Sequence, residues 1–325
     1  MHMKFPRLHW TVYGLIVSVT AVIVLTIVLI EDHQNDVAVG QYHFLSKRIL
    51  LQHPNDTIIN FTSLRDSLKS YVNQNSETVG VYFEYLPTGT SVGINSGTEF
   101  FRASLVKLPV VMRTYKYIED GKLSLDDQLT IEPKEIDMNY GTLWQRGAGT
   151  TLTVRELIKY ILDESDNTAF NVLYQKVNVE LRAGTPGGDQ SPSDVYDYLD
   201  IPRSTTAITP MITPRNYTSI LKSLYFSSYL SFKNSNEILS LMAQTHAENW
   251  LASGTDGSFP LADKIGVNLA TPAENYVFSD CGIFYYPHRP YTLCVMVHTD
   301  DKTKAIPAIQ KVSQLVFDFM KQPQK

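Results

Sequence analysis

The sequence predicts an α+β fold in which one antiparallel sheet is built from both ends of the chain, with helices packed on it and an all-helical subdomain inserted. Two observations predict it. Alternating apolar strands occur at 78–94 and again at 262–298, and the residues between them have mostly helical patterns. A third feature, an uncharged stretch at 11–30, precedes this domain and predicts an N-terminal transmembrane helix.

Composition narrows the class of protein. The 325 residues are 43% hydrophobic and 19% charged, which excludes a disordered chain or a coiled coil. The net charge is −5 with no long Lys/Arg run, so no nucleic-acid partner is predicted. Two cysteines exclude a four-cysteine zinc site, and the eight histidines show no H-E-x-x-H spacing, so neither a metal nor a cofactor is predicted.

The N-terminal stretch sets the expected compartment. Twenty uncharged residues make about 30 Å of helix, enough for a bilayer core. Lys4 and Arg7 precede the stretch, so the positive-inside rule places the N-terminus in the cytoplasm. A cleaved signal peptide and a buried core helix are the alternatives. The predicted single-pass order is a cytoplasmic tail (1–10), a transmembrane anchor (11–30), a spacer (31–59) and an extracytoplasmic catalytic domain (60–325).

The elements of this domain follow from periodicity and turn residues. Leu86-Pro87-Thr88-Gly89 is turn chemistry between the first two strands. The final helix has an apolar face typical of packing on a sheet. In order, the predicted elements are a helix at 62–71, strands at 78–85 and 90–94, a helical middle at 105–224 interrupted at 183–192, strands at 262–267, 275–286 and 291–298, and a helix at 305–320.

The two cysteines lie on neighbouring predicted strands. If Pro287 and His288 centre the hairpin between them, paired positions sum to 575, and Cys281 and Cys294 are such a pair. Outside the cytoplasm a disulfide can persist. A cross-strand disulfide and two buried thiols are both compatible with the sequence.

Three short motifs carry the candidate chemistry. Ser104 and Lys107 form an S-x-x-K pair whose side chains share one helix face, and a lysine with a lowered pKa can take a serine proton. Ser219 and Lys222 repeat this spacing, so the pair alone is not diagnostic. The unique Ser165-Asp166-Asn167 follows 61 residues after Ser104, and Lys264-Ile265-Gly266 begins 99 residues after Ser165.

In order and spacing, these motifs resemble the class A β-lactamases and related penicillin-recognising serine hydrolases. TLTVRELIKYILDESDNTAFNVL, Thr213-Pro214-Arg215 and Ala262-Asp263-Lys264 extend the likeness over residues 60–325. The resemblance implies a β-lactamase/D,D-peptidase-like fold and a bacterial source.

The resemblance also implies a role for each matching residue. Ser104 would be the acylated nucleophile, Lys107 its general base, Ser165 the donor of a proton to the leaving nitrogen, and Lys264 a source of positive potential. The remaining residues would bind substrate: Asn167 its side-chain amide, Tyr140 as an aromatic wall, Gly266 within the third motif, and the N–H groups of Ser104 and Val267 as the oxyanion hole.

Two departures from the family pattern modify this expectation. Ile265 replaces the hydroxyl residue that binds the substrate carboxylate, a contact worth about 1.5–3 kcal/mol. The loop glutamate that activates the deacylating water is missing, because no acidic residue occurs at 201–236. Glu164 is the nearest carboxylate in sequence to the S-D-N motif, and a helical position there need not face the cleft. Deacylation is therefore expected to be slow.

The sequence thus predicts a membrane-anchored extracytoplasmic serine hydrolase that forms a Ser104 acyl-enzyme. Its substrate would be a β-lactam or a peptidoglycan stem peptide. The alternative is a non-catalytic receptor or scaffold that keeps the cleft and binds cell-wall fragments or a partner. Ile265 and the missing glutamate favour that alternative, whereas the complete set of motif residues favours the enzyme.

Overall fold

The computed structural model describes residues 10–41, 60–180, 193–202, 211–244, 250–269 and 276–322. The chain divides into two compact units, 1–57 with 324–325 and 58–323. The first unit contains helix α1 (Trp10–Gln41), whose apolar side chains between Val12 and Ile27 are exposed. None of the helices, as far as their residues are described, combines the length and hydropathy needed to cross a membrane.

The second unit begins with a helix and ends with one, and the sheet strands lie towards its two ends. Its elements, in chain order, are α2 (Thr62–Gln74), β1 (Thr78–Tyr85), β2 (Thr90–Ile94), β3 (Phe100–Phe101), α3 (Lys107–Glu119), β4 (Gln128–Thr130), β5 (Thr151–Thr153), α4 (Val154–Asp163), α5 (Asn167–Tyr174), α6 (Ser193–Tyr198), β6 (Met211–Ile212), α7 (Pro214–Tyr225), α8 (Phe232–Met242), β7 (Leu261–Asn268), β8 (Tyr276–Phe284), β9 (Tyr291–Thr299) and α9 (Lys302–Met320).

The main sheet has the strand order β2-β1-β9-β8-β7, and all of its pairings are antiparallel. Both chain ends contribute to it, as the sequence predicts. The helical middle differs from its prediction, because it also contains the short strand pair of β4 with β5 and the strand β6, which pairs with β3 just before it. Strands of two or three residues are too short to display a period of two, so the pattern could not reveal them.

Helices cover both faces of the sheet. On one face, α2 and α9 bury Leu68 and Ile309 against strand residues such as Val81 and Val295. On the other face lie the helices of the inserted subdomain and α7, whose Ile220 is fully buried. β7 is the outer strand on one side of the sheet, and its free edge meets the turn that precedes α3.

The β8–β9 hairpin has the predicted register. Its paired positions sum to 575, and Cys281 lies opposite Cys294. The two cysteines form a disulfide, which decides between the two alternatives that the sequence leaves open. Both are fully buried, so the disulfide joins the two strands inside the core.

Candidate active site

Ser104 lies in a tight 3₁₀ turn, Ala103–Val106, that leads directly into α3. Ala103 adopts a left-handed backbone conformation, with φ of +44°, immediately before the serine. Such strain in a non-glycine residue costs about 1–3 kcal/mol and is concentrated at functional sites. Gly266 of β7 packs against this turn, since a Cβ there would lie 3.0 Å from Leu105 and 3.2 Å from the Arg102 carbonyl oxygen. The glycine therefore lets β7 approach the serine.

The Ser165-Asp166-Asn167 turn joins α4 to α5 and is held by Asp166. The Asp166 carboxylate accepts hydrogen bonds from the N–H groups of Ala169 and Leu143, both at 2.8 Å. It thereby caps α5 and fixes the turn to the neighbouring loop. Ser165 itself has a φ of +53°, so its hydroxyl is presented from a second strained residue. Asp166 is fully buried and has a structural role.

Lys107 lies in the first turn of α3 and is directed at the S-D-N turn. Its Nζ is hydrogen-bonded to the Ser165 carbonyl oxygen, to Ser165 Oγ at 3.2 Å and to Asn167 Oδ1 at 2.6 Å. Its nitrogen also lies 6.0 Å from the centre of the Tyr140 ring. Burial, and secondarily the charge of Lys264, lower the pKa of Lys107 to about 6. Near pH 7, Lys107 is therefore neutral in a large fraction of the molecules, and its amine can accept a proton.

Lys264 approaches the same serine from β7. Its Nζ donates to Ser165 Oγ at 2.8 Å and to the Ile265 carbonyl oxygen at 3.3 Å. Burial lowers the pKa of Lys264 to about 8, and the nearby Asp263 and Asp280 oppose that shift. Ser165 Oγ thus lies between two lysines with different proton affinities.

Ser104, Ser165, Asn167 and Tyr140 meet at a cleft of about 340 Å³, and both lysines reach it through their hydrogen bonds to Ser165. The β7 residues at the cleft, Ile265 and Val267, are apolar, whereas Ser104, Ser165 and Asn167 are polar. The aromatic ring of Tyr140 is 37% exposed at the cleft, and the Tyr140 carbonyl oxygen accepts the N–H of Asn167 at 3.0 Å. The lining residues are Ser104, Asn139, Tyr140, Ser165, Asn167, Ile265, Val267 and Leu269.

Asp137, which the sequence did not single out, contacts the cleft residues Asn139 and Asn167. Its carboxylate accepts hydrogen bonds from the side chain of Asn167 and from the backbone and side chain of Asn139. These hydrogen bonds, with the charge of Lys107, lower its pKa against the opposing effect of burial. Asn167 is therefore held on both sides, by Lys107 at its oxygen and by Asp137 at its nitrogen. A lone aspartate in a loop gives no sequence signal for this contact.

The other sequence candidates lie away from this cluster. Lys222, of the second S-x-x-K pair, forms an ion pair with Glu84 at 2.6 Å, and Ser219 Oγ donates to the Arg215 carbonyl oxygen. Glu164 accepts a hydrogen bond from Thr142 at 2.5 Å on the exterior. Residues 203–210, which belong to the range without acidic residues, lie outside the described residues.

The fold and the serine–lysine cleft define the class of this protein, the β-lactamase-like, penicillin-recognising serine hydrolases. The chain belongs to the β-lactamase enzyme family, whose model matches residues 63–320. The comparison with known proteins thus confirms the resemblance derived from the motifs.

Individual relatives are distant. A β-lactamase of Streptomyces lavendulae is 23% identical over 260 residues, 77% of this chain and 84% of that protein. The β-lactamase VEB-1 of Pseudomonas aeruginosa is 27% identical over 86 residues, 26% of this chain, and the match spans only 29% of its length. A PBP-A variant, solved as an acyl-enzyme complex with penicillin G, has a TM-score of 0.69 at 22% identity, covering 80% of this chain and 97% of that one.

Proposed function

We propose that this protein is a serine acyl-transfer enzyme that forms a covalent acyl-enzyme on Ser104. The observation that carries the proposal is that Ser104, Ser165 and Asn167 line one cleft, while Lys107 and Lys264 are both hydrogen-bonded to Ser165 Oγ. A purely structural cluster would not require two buried lysines with lowered pKa values around one serine hydroxyl. The proposed substrates are β-lactams or peptidoglycan stem peptides, in keeping with the penicillin G adduct of the PBP-A variant.

Acylation would proceed through these side chains. Neutral Lys107 takes the Ser104 proton as Ser104 Oγ attacks the substrate carbonyl carbon, and the N–H groups of Ser104 and Val267 stabilise the oxyanion. The C–N bond then breaks, and the leaving nitrogen receives a proton from Ser165 Oγ. Ser165 regains a proton from the Lys107 ammonium, with which it shares a hydrogen bond. The products are an ester on Ser104 and an amine.

Deacylation would be the slow step. Hydrolysis of the ester requires a base that activates water, and such a base contributes about 10²–10⁴-fold. No acidic residue occurs at 201–236, and Glu164 is hydrogen-bonded to Thr142 on the exterior. We therefore expect acylation to be faster than deacylation, so that the acyl-enzyme accumulates.

Intact mass spectrometry of the full-length protein in detergent tests this function. After minutes with penicillin G, the wild type should gain the mass of one penicillin and keep it for hours, whereas Ser104→Ala should gain none. Lys222→Ala, at the other S-x-x-K pair, is the matched control and should acylate like the wild type. Rapid drug loss without an adduct would mean that deacylation is efficient, and an adduct on Ser104→Ala would exclude Ser104 as the nucleophile.

A second candidate function is a non-catalytic receptor for cell-wall fragments. Ile265 favours it, because an apolar side chain at the cleft offers no hydrogen bond to a substrate carboxylate. A receptor would bind penicillin or a stem peptide equally well as the wild type and as the Ser104→Ala variant, and it would give no covalent product. Calorimetry on both proteins, beside the mass measurement, separates the two functions.

We further propose that residues 11–30 anchor the protein and that the catalytic domain lies outside the cytoplasm. Twenty uncharged residues and the preceding Lys4 and Arg7 support the anchor and its orientation. The Cys281–Cys294 disulfide favours an oxidising compartment. The full chain should sediment with membranes after carbonate washing, whereas Val19→Arg/Val22→Arg should not. Release of the wild type by carbonate would contradict the anchor.

A further inference from the structure

The disulfide of the β8–β9 hairpin lies in the sheet directly beside a residue of the candidate site. Cys281 is the partner of Lys264 in the β7–β8 ladder and the partner of Cys294 in the β8–β9 ladder. Side chains of directly paired residues in an antiparallel sheet share one face, with Cβ atoms about 4.5–5.5 Å apart. Lys264, Cys281 and Cys294 therefore form one row, and both cysteines belong to the hydrophobic cluster on the face that the inserted subdomain covers.

Cys281 supports the Lys264 side chain from the side. β7 is an outer strand of the described sheet, so Lys264 has a directly paired residue on one side of its strand. The residues two positions away along β7, which share its face, are Ala262 and Gly266, and they present at most a methyl group. Of these three neighbours Cys281 has the largest side chain, so the Lys264 stem has its main contact within the sheet at position 281.

The Lys264 side chain must keep one conformation to reach Ser165. It is 3% exposed, and its Nζ lies 2.8 Å from Ser165 Oγ. A lysine has a flexible four-carbon stem, so a hydrogen bond at its end does not by itself fix the path of the stem. The bond to Cys294 prevents Cys281 from changing its rotamer, and Cys294 lies on β9, between β1 and β8. The stem therefore lies beside a group whose position is fixed by a covalent bond.

We propose that Cys281, held in place by its bond to Cys294, positions the Lys264 side chain for its hydrogen bond with Ser165. Cys281 is a positioning residue, because it acts on the reaction only through Lys264. This inference rests on the proposed acyl transfer, in which Ser165 Oγ passes a proton to the leaving nitrogen. Misplacing a reacting group by about 1 Å can cost about 10²-fold in rate, so loss of the side contact should be visible in acylation.

Two double variants of identical composition test the side contact. Cys281→Val/Cys294→Ala refills the space beside Lys264 with a side chain whose χ1 angle is restricted. Cys281→Ala/Cys294→Val places the same atoms one strand further from Lys264. Both variants lack the disulfide, so both lose the stability that it provides. With penicillin G, the first variant should acylate within about threefold of the wild type and the second about tenfold more slowly.

The kinetic constants separate positioning from a general loss of stability. In Cys281→Ala/Cys294→Val the acylation rate constant at saturating penicillin G should fall, whereas the dissociation constant of the noncovalent complex should stay near that of the wild type. Val295→Ala is the control for a cavity in the core, because Val295 is fully buried beside Cys294 on β9 but belongs to the cluster on the opposite face. It should acylate like the wild type. Equal acylation rates in the two double variants would overturn the inference.

A readout without substrate separates this inference from the proposed function. The ¹⁵N resonance of the Lys264 side-chain nitrogen, assigned with Lys264→Arg, reports its hydrogen bond with Ser165 in the free protein. The resonance should keep its wild-type position in Cys281→Val/Cys294→Ala and move in Cys281→Ala/Cys294→Val. An unchanged resonance in both variants would overturn the inference. Absence of acylation in the wild type would contradict the proposed function, and the resonance would still test the role of Cys281.

Single substitutions decide the matter if a double variant does not fold. Cys281→Ala and Cys294→Ala each remove the disulfide and one sulfur, but Cys281→Ala alone removes the sulfur beside Lys264. Both are measured with a reducing agent, which keeps the remaining thiol from pairing between molecules. Cys281→Ala should acylate about tenfold more slowly than the wild type, and Cys294→Ala within about threefold of it. Equal rates, or a greater loss in Cys294→Ala, would overturn the inference.

Discussion

In the proposed acylation, Lys107 determines the lower limit of the active pH range, because only its neutral form can accept the Ser104 proton. Its pKa of about 6 predicts that the acylation rate rises with pH through a midpoint near 6. Stopped-flow acylation by a chromogenic β-lactam between pH 4.5 and 9 measures this midpoint. A rate that stays flat below pH 6 would show that Lys107 is not the base.

Arginine at position 107 should remove this function while keeping a cation. Because a guanidinium stays protonated, Lys107→Arg should acylate about 10²–10⁴-fold more slowly at pH 7. Lys222→Arg is the matched control, since Lys222 has the same motif spacing but is paired with Glu84. Equal losses in the two variants would point to a general effect of the substitution.

The limits of sequence reasoning are visible at single residues. Ser104, Lys107, Ser165, Asn167 and Lys264 could be selected because their motifs have a fixed order and spacing. The contact of Asp137 with Asn167 joins a loop residue to a helix start 30 positions away, and no periodicity encodes such a contact.

At the scale of elements, the register of the β8–β9 hairpin could be predicted because its turn is short. One centre at 287 and 288 determines every pair, including Cys281 with Cys294. The helices could be placed for a similar local reason, since Thr213 caps α7 directly before Pro214. The short strands β3 to β6 could not, because their pairing is decided by the packing of distant segments.

The disulfide of this hairpin should stabilise the domain mainly by reducing the conformational entropy of the unfolded chain. Closing a loop of about 15 residues is worth about 3 kcal/mol, so Cys281→Ala/Cys294→Ala should lower the free energy of unfolding by roughly that amount. Urea denaturation gives the difference. Reducing agent should destabilise the wild type similarly and leave the variant unchanged, whereas an unchanged midpoint in the variant would contradict the prediction.

At the scale of the whole molecule, the candidate site opposes the stability of the fold. Two lysines are buried where a core would ordinarily hold apolar groups, and Ala103 and Ser165 have strained backbones. The hydrophobic clusters on both sheet faces and the disulfide supply the stability that this arrangement requires. The same conflict between a preorganised site and a stable core recurs in many enzymes.

The destabilising effect of burying Lys107 can be measured, because it makes the free energy of unfolding depend on pH. Its pKa is about 6 in the folded protein and 10.5 when exposed, so between these values the unfolded chain binds the additional proton. Stability of the wild type relative to Lys107→Met should therefore rise with pH by up to about 1.4 kcal/mol per unit from pH 6 to 10. The hydrogen bonds lost in Lys107→Met shift the whole difference but leave this slope unchanged. Urea denaturation of both proteins at pH 6, 7, 8 and 9 gives the slope. A difference independent of pH would mean that Lys107 stays protonated in the folded protein and cannot be the base that acylation requires.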